Sequence, residues 1–231
     1  REYWTLSINF QNDKKNLITS SISQLNGKKI EKFSFKNKTE LDKAIKYIKN
    51  KKFYITDISS KVVSRNPSGP FTTSTLQQVA SSRLGFGASR TMQIAQKLYQ
   101  GIEIEGETIG LITYMRTDGT NISNEAISEF RKFVVDKYGN EYLPEAPNNY
   151  TGKKAKNAQE AHEAIRPTDI NRSPETVKKY LSSDQQKLYN LIWSRALSSQ
   201  METAKFDRST ITITSKDADT ICTVSYTHLR A

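Results

Sequence analysis

The stretch Gly110-Leu111-Ile112-Thr113-Tyr114-Met115-Arg116-Thr117-Asp118 decides how the rest of the chain is interpreted. Its apolar start and polar end predict a short strand, with Tyr114 and Arg116 two positions apart where the strand ends. Side chains at positions i and i+2 of an extended backbone point to the same side. The tyrosine oxygen, as a nucleophile, and the guanidinium, as a bidentate clamp on developing charge, can therefore reach one phosphate. A core tyrosine with a solvated hydroxyl is the alternative for Tyr114.

Two helices are predicted immediately upstream of this stretch. Thr72 or Thr73 can cap a helix that runs to about residue 84, and Ser89 can cap a second helix that runs to about residue 99. The segment Gly85-Phe86-Gly87 separates them. Helix, glycine turn and helix form the outline of a helix-turn-helix, although most helical hairpins of this kind bind nothing.

The charge of this region favours a phosphate-binding role. No acidic residue occurs between Ile58 and Ile102, in a chain that has 24 acids. Basic residues do occur there, and a merely solvated surface is a poor explanation for such a gap. We therefore predict a path lined for phosphates. Its basic residues are Lys61, Arg65, Arg83, Arg90 and Lys97.

Downstream, a helix is predicted at about 124–138 and a loop at about 139–158, followed by Gln159-Glu160-Ala161-His162-Glu163-Ala164-Ile165-Arg166-Pro167-Thr168. His162 and Arg166, at i and i+4, would share a helix face and could hold one phosphate together. Ordinary exposed helix charges are the alternative. The segment superficially resembles the two-histidine zinc helix, but Arg166 stands where the second histidine must be, which rejects a zinc protease.

The two ends of the chain predict a β domain that a helical domain interrupts. Strands are expected at about 3–10, 16–24, 29–35 and 52–63, with a hairpin turn at Asn26-Gly27 and a helix at about 39–50 capped by Thr39. Alternating residues near the end predict two more strands, at about 209–214 and 220–224, that could pair with the opening ones. With a breaker cluster at 66–70, the expected boundaries are 1–65, 66–202 and 203–231, and the expected fold class is α+β.

Composition narrows the possible partners. The formal net charge of +11 favours a polyanion such as nucleic acid, whereas no apolar run approaches the roughly 18 residues of a membrane span. The first 64 residues hold 14 basic and 6 acidic residues, which either a solvated lysine-rich surface or a DNA track would explain. The single cysteine, Cys222, fits a reducing cytoplasm, and with only His162 and His228 beside it a structural zinc site is improbable.

Two other classes of phosphate chemistry fit less well. Tyrosine recombinases also combine arginine, histidine and a nucleophilic tyrosine, but their tyrosine follows the basic residues, whereas Tyr114 precedes His162 by 48 positions. No glycine loop of the P-loop type occurs, so the sequence does not support ATP hydrolysis.

Four motifs in order resemble the type IA DNA topoisomerases of bacteria. They are Pro70-Phe71-Thr72-Thr73-Ser74-Thr75-Leu76-Gln77-Gln78, Arg83-Leu84-Gly85-Phe86-Gly87, Ile112-Thr113-Tyr114-Met115-Arg116-Thr117-Asp118 and Glu160-Ala161-His162-Glu163-Ala164-Ile165-Arg166-Pro167-Thr168. The resemblance extends from Arg1 to about Val224. It implies that Tyr114 attacks a single-stranded DNA phosphodiester to form a 5′-phosphotyrosine, that Arg116 supports this step, and that the enzyme relaxes negative supercoils by strand passage without ATP. The residues expected to contact DNA are His162, Arg166, Asp118, Thr117, Arg83 and Arg90.

The resemblance also implies an architecture. Residues 1–65 and those from about 203 onward would belong to a β-rich arch. Between them, residues 66–202 would form a mainly helical domain that resembles the helix-turn-helix domain of catabolite activator protein and carries the tyrosine. The expected partners are single-stranded DNA and the remaining domains of the same enzyme, which would act as a monomer in the cytoplasm with the nucleoid.

Some features depart from the family pattern. Gly119 stands where the family usually has a serine. The family's acidic Toprim domain, expected to bind the Mg2+ cofactor, is not in this chain, and Asp118 alone is insufficient for a metal site. Residues 226–231 do not resemble the family and are expected to break the strand pattern and to be a non-native tail, so His228 receives no role. The alternative functions are a non-catalytic single-stranded DNA-binding module and an arch that binds any polyanion.

Overall fold

The computed structural model describes residues 3–11, 15–150 and 163–229. The chain forms two compact units, one made of residues 1–65 and 204–231 and the other of residues 66–203. Helices and strands both contribute, which confirms the α+β class. The strands are β1 (Ser7–Gln11), β2 (Leu17–Leu25), β3 (Lys28–Lys29), β4 (Phe53–Arg65), β5 (Ile102–Ile104), β6 (Glu107–Ile109), β7 (Ala204–Ser215) and β8 (Ile221–Leu229). The helices are α1 (Lys38–Lys49), α2 (Thr73–Leu84), α3 (Ala88–Gln100), α4 (Asn124–Tyr138), α5 (Pro174–Val177) and α6 (Ser183–Ser199).

The first unit is an antiparallel sheet in the order β1-β2-β8-β7-β4, with β3 paired to β2. β7 runs along the whole of β4, and β8 pairs with both β7 and β2. The predicted pairing of the late strands with the opening ones is therefore confirmed. A small apolar core joins α1 to this sheet and consists of Ile22, Ile48, Ile213 and Cys222. Burial raises the pKa of the Cys222 thiol, which keeps it protonated in this apolar core.

A polar network ties the end of α1 to the turn between β7 and β8. The Lys51 ammonium donates to both carboxylate oxygens of Asp219 at 2.8 Å and also contacts Asp217. The Tyr47 hydroxyl donates to Asp219 as well. Because Lys51 and then Tyr47 donate to it, the Asp219 carboxyl has a pKa well below its usual range.

Three sequence predictions for this unit are wrong. The strand expected at about 29–35 ends at Lys29, because the Ser34 side chain accepts from Glu31 N–H at 2.8 Å and turns the chain. Helix α1 is capped by Asn37 instead of Thr39, since the Asn37 amide oxygen accepts from the Glu40 N–H at 2.9 Å. The strand pattern does not break at residue 226, because β8 continues through Leu229 in register with β7.

The second unit packs α2, α3, α4 and α6 around one apolar core that includes Phe71, Leu76, Leu98, Phe130 and Ile192. The rings of Phe133 and Trp193 meet edge to face at 5.6 Å, and the Trp193 indole donates to the Ile170 carbonyl at 2.9 Å. Both rings therefore lie in the apolar core, and the one polar atom of the pair, the Trp193 indole nitrogen, keeps a hydrogen-bond partner. No helix in the described ranges is both long and apolar enough to span a bilayer.

Helix ends in this unit follow from local chemistry. Thr72 caps α2 in a reciprocal capping box with Thr75, and Gly85 ends the helix in the left-handed conformation at φ 68°. The predicted cap at Ser89 is wrong. Helix α3 begins at Ala88, and its N-cap residue is Gly87, so no side chain caps this helix. Gly85 turns the chain so tightly that the next helix starts before Ser89 is reached. Ser89 is thus left exposed in the first turn of α3.

Candidate active site

The stretch from Gly110 to Asp118 is irregular, so the predicted strand there is wrong. Strand β6 ends at Ile109, and beyond it the backbone bonds to three separate segments. Leu111 N–H donates to Leu98 O at 2.8 Å, Thr113 N–H donates to Arg166 O at 2.9 Å, and Thr117 O accepts from Thr73 N–H at 2.9 Å. A strand needs one continuous partner, whereas these bonds satisfy the backbone from different directions.

The side chains of this segment nevertheless alternate between inward and outward positions, as the sequence predicts. Met115 and Thr117 are buried, at 1% and 7% exposure, whereas Tyr114, Arg116 and Asp118 are exposed. Tyr114 keeps 45% of its surface, which excludes the core-tyrosine alternative. The phenol and the guanidinium are therefore both presented to solvent from one short segment.

Thr73, the first residue of α2, holds this segment in place. Its hydroxyl donates to the Met115 carbonyl at 2.8 Å and accepts from the Thr117 N–H at 2.8 Å. The hydroxyl of Thr117 in turn accepts from Gly119 N–H at 2.9 Å. Thr117, predicted to contact DNA, is thus buried in a turn and contacts the protein itself.

Arg116 lies at an open cavity of about 800 Å3 along one face of α3. Arg90 and Lys97 line the same cavity. The Arg90 guanidinium donates to the Asp184 carboxylate at 2.5 Å and lies over the Phe86 ring at 4.7 Å. In the described part of the chain, Arg116 and Lys97 have no carboxylate partner, so the cavity keeps uncompensated positive charge. Asp184 also lines the cavity, and the remaining lining residues are Ser89, Met92, Gln93, Ile94, Gln96 and Gln100.

The segment 163–168 is extended, so the predicted helix face shared by His162 and Arg166 is wrong. Ile165 N–H donates to Phe71 O and Ala164 N–H donates to Asn121 O, both at 2.8 Å. Pro167 further disfavours a helix, because its ring clashes with the backbone of the preceding residue when that residue is helical. His162 itself lies outside the described residues.

Arg166 is turned inward by a carboxylate partner. Its Nη2 donates to both Glu163 oxygens at 2.9 Å, its Nε to one of them at 3.1 Å, and its Nη1 to the Pro167 carbonyl at 2.9 Å. Only 12% of the side chain is exposed. The Glu163 carboxylate also accepts from Ser123 N–H at 2.8 Å, beside the start of α4. Arg166, predicted to contact DNA, thus makes its side-chain hydrogen bonds within its own segment, and Glu163 links that segment to the start of α4.

The comparisons with known proteins decide the family. The family model described as DNA topoisomerase matches residues 1–228. The chain belongs to the DNA topoisomerase family. It is 50% identical over 206 residues to DNA topoisomerase 1 of Rickettsia prowazekii, covering 89% of this chain and 26% of that protein. It is 43% identical over 216 residues to DNA topoisomerase 1 of Haemophilus influenzae, covering 94% of this chain and 23% of that protein.

A solved structure shares the fold. Full-length topoisomerase I from Thermotoga maritima matches with a TM-score of 0.69 and 37% identity, over 92% of this chain and 32% of that one. The chain therefore spans about a quarter to a third of the length of these three topoisomerases.

The described residues of this topoisomerase chain offer no ready-made cluster of side-chain metal ligands. Among residues 3–11, 15–150 and 163–229, no three His, Cys, Asp or Glu side chains lie in an arrangement that could hold one. Asp118 is the sole carboxylate between Gly110 and Gly119. No chemical step is therefore assigned to a metal held by these residues.

Sequence reasoning missed part of the site. Tyr99, at the end of α3, meets the Tyr114 ring edge to face at 5.4 Å. Gln93 and Gln100 line the cavity together with Arg90 and Lys97. The spacing of these four residues, i, i+3, i+7 and i+10, is that of one helix face, so periodicity within α3 was the signal that could have found them. Arg83 lies in a different cleft, and the structure does not bring it together with Arg116.

Gly110 is expected to be essential for how the Tyr114 segment meets α3. A Cβ at Gly110 would lie 2.7 Å from the Tyr99 carbonyl oxygen, a backbone atom that cannot easily move. Gly110→Ala should lower the free energy of unfolding by about 1–3 kcal/mol, measured by urea denaturation. Gly87→Ala is the control, because its Cβ would meet nothing within 4 Å; we expect a loss below about 1 kcal/mol. Equal losses in the two variants would contradict the close approach.

Proposed function

We propose that this chain is the tyrosine-bearing part of a type IA DNA topoisomerase. Such an enzyme cleaves one DNA strand transiently, passes a strand through the break and relaxes negative supercoils without ATP. The observation that carries the proposal is the exposed pair Tyr114 and Arg116, presented from one anchored segment in a member of the DNA topoisomerase family.

The chemistry is a reversible transesterification. The Tyr114 oxygen attacks phosphorus and forms a P–O bond, while the bond from phosphorus to the 3′ oxygen of the preceding nucleotide breaks. The phenol loses one proton and the departing 3′ oxygen gains one. Since one phosphodiester replaces another, the energy of the cleaved bond is retained, and the 3′-hydroxyl can later reverse the reaction without ATP.

In this proposal Arg116 stabilises the negative charge that develops on the phosphate. A guanidinium two residues from the nucleophile can donate two parallel hydrogen bonds to the non-bridging phosphate oxygens, where negative charge builds up in the transition state. Lys97 and Arg90, on the wall of the same cavity, would contact neighbouring phosphates of the strand. Asp184 would partly neutralise Arg90 and so weaken its contribution.

The remaining roles are assigned by the same proposal. Helices α2 and α3 would act as a helix-turn-helix, and the sheet of the first unit would form part of an arch around the strand. Single-stranded DNA is the proposed partner of a monomeric, nucleoid-associated enzyme. Because the topoisomerases of Rickettsia prowazekii and Thermotoga maritima are three to four times as long, Mg2+ binding is assigned to parts of the enzyme outside these 231 residues.

A labelling experiment tests the proposed reaction. A full-length enzyme that carries this chain is incubated with single-stranded DNA labelled at either the 3′ or the 5′ end and is then denatured. Attachment through a 5′-phosphotyrosine predicts that the 3′ label stays with the protein and that the 5′ label is released on a fragment ending in a 3′-hydroxyl.

Each other result has a clear meaning. If the 5′ label is the one retained, the enzyme forms the opposite linkage and the type IA assignment is wrong. If DNA binds but neither label is retained, the chain is a non-catalytic single-stranded DNA-binding module. Equal affinity for heparin and single-stranded DNA, again without retained label, would identify a general polyanion-binding protein.

A further inference from the structure

A second basic cleft lies in the helical unit, apart from the cavity at Arg116. It is open to solvent and has a volume of about 210 Å3. Two arginines and three serines contribute to its wall, and no aspartate or glutamate does. None of its lining residues lines the Arg116 cavity. They are Ser68, Phe71, Val79, Arg83, Leu191, Ser194, Arg195 and Ser198.

Arg195, on α6, is held in a fixed orientation in this cleft. Its Nε donates to the Gly69 carbonyl at 2.6 Å, and its guanidinium lies 4.9 Å from the centre of the Phe71 ring. These contacts orient the guanidinium plane and occupy one of its edges. The other N–H groups make no hydrogen bond to any residue that the structure describes, so the planar fork is available to a ligand.

Arg83, in the last turn of α2, brings a second positive charge to the same cleft. Its side chain is exposed, and neither it nor Arg195 forms an ion pair with a described carboxylate. Burial, and then the charge of Arg83, lower the pKa of the Arg195 guanidinium. Two like charges in one partly buried cleft repel each other, and an anion placed between them would relieve that repulsion.

We infer that the cleft formed by Arg83, Arg195 and Ser68 binds a phosphate group. Arginine matches phosphate through parallel N–H donors, and the Ser68 hydroxyl, which bonds to no other described residue, can supply a further donor. The absence of carboxylates from the lining favours an anion over a cation. The phosphate belongs either to a nucleic-acid backbone or to free inorganic phosphate, and the site is independent of the role proposed for Tyr114.

The test uses the 231-residue chain and two charge-matched variants. Arg83→Gln removes one cation of the cleft without touching Gly69 or Phe71, so the fold is not at risk. Lys132→Gln, on an exposed position of α4 outside both cavities, removes the same charge elsewhere. Affinity for a fluorescent single-stranded oligonucleotide is measured by anisotropy across a salt series. In parallel, the melting temperature is measured in inorganic phosphate and in chloride of equal ionic strength.

If the cleft binds phosphate, Arg83→Gln should lose oligonucleotide affinity or the stabilisation by inorganic phosphate, and Lys132→Gln should not. A backbone phosphate in the cleft should make this variant bind the oligonucleotide about threefold to tenfold more weakly, with a salt slope flatter by about 0.7. Free phosphate in the cleft should raise the melting temperature of the unmodified chain but not that of the variant. Lys132→Gln should behave as the unmodified chain in both assays.

The two assays distinguish a nucleic-acid backbone from free inorganic phosphate, and they can also show that the cleft binds neither. A change in the oligonucleotide assay alone identifies a nucleic-acid backbone, and a change in the phosphate assay alone identifies a free anion. If Arg83→Gln changes neither assay, or changes them no more than Lys132→Gln does, the cleft is not a phosphate site. Neither assay measures strand cleavage, so this result is independent of whether Tyr114 is the nucleophile.

Discussion

Tyr114→Phe is expected to abolish the denaturant-resistant adduct between DNA and a full-length enzyme that carries this chain. The variant keeps the ring and its edge-to-face contact with Tyr99, so the fold and the affinity for DNA should hardly change. It lacks the oxygen that forms the bond to phosphorus. Because nothing else in the proposed reaction replaces a covalent nucleophile, we expect adduct formation to fall by a factor on the order of 10³ or more.

Tyr99→Phe is the matched control for this experiment. The two rings touch, and both tyrosines are exposed, at 40% for Tyr99 and 45% for Tyr114. Only Tyr114 shares its segment with Arg116, so Tyr99→Phe should still form the adduct. An adduct that survives Tyr114→Phe and disappears in Tyr99→Phe would transfer the nucleophile to Tyr99. An adduct that survives both would place it outside this pair.

Breaking the ion pair between Glu163 and Arg166 is expected to be strongly destabilising. Arg166 is only 12% exposed and makes three hydrogen bonds to the carboxylate, so Glu163→Ala leaves a nearly buried guanidinium without its counter-charge. It also removes the acceptor for Ser123 N–H at the start of α4. We expect the free energy of unfolding to fall by about 3 kcal/mol, measured by urea denaturation.

The pair between Asp169 and Arg172 provides the comparison. It has the same i, i+3 spacing, but its side chains are 42% and 33% exposed, and its ions are 3.4 Å apart. Water replaces the partner of an exposed charge, so Asp169→Ala should cost at most about 1 kcal/mol. Losses of equal size in the two variants would show that burial of Arg166 does not govern the stability of the segment 163–168.

Those parts of the fold that depend on local chemistry could be predicted from the sequence. Thr72 and the apolar positions of α2 determine where that helix begins and which side it buries, and the alternating residues of β7 match the strand it joins. The conformation of the segment 163–168 could not be predicted in this way. Its extended form depends on backbone partners at Phe71 and Asn121, which lie more than 40 positions away.

The candidate site could likewise be predicted only where local spacing determines it. The i, i+2 spacing of Tyr114 and Arg116 was enough to place both side chains outward, even though the segment is irregular. The sequence did not predict which basic side chains are available to a ligand, because that depends on whether a carboxylate lies next to them in the fold. Arg166 is paired with Glu163, and Arg90 with Asp184, whereas Arg116 has no such partner among the described residues.

The way Thr73 holds both Met115 and Thr117 also limits how the segment can change in length. Substitutions at the outward positions leave those two anchors in place. Insertion or deletion of one residue between Tyr114 and Thr117 would instead exchange inward and outward positions, and would drive a phenol or a guanidinium into the protein interior. Within this part of the chain, spacing is therefore under tighter physical constraint than residue identity, and a library of length variants should contain far fewer folded members than a library of substitutions.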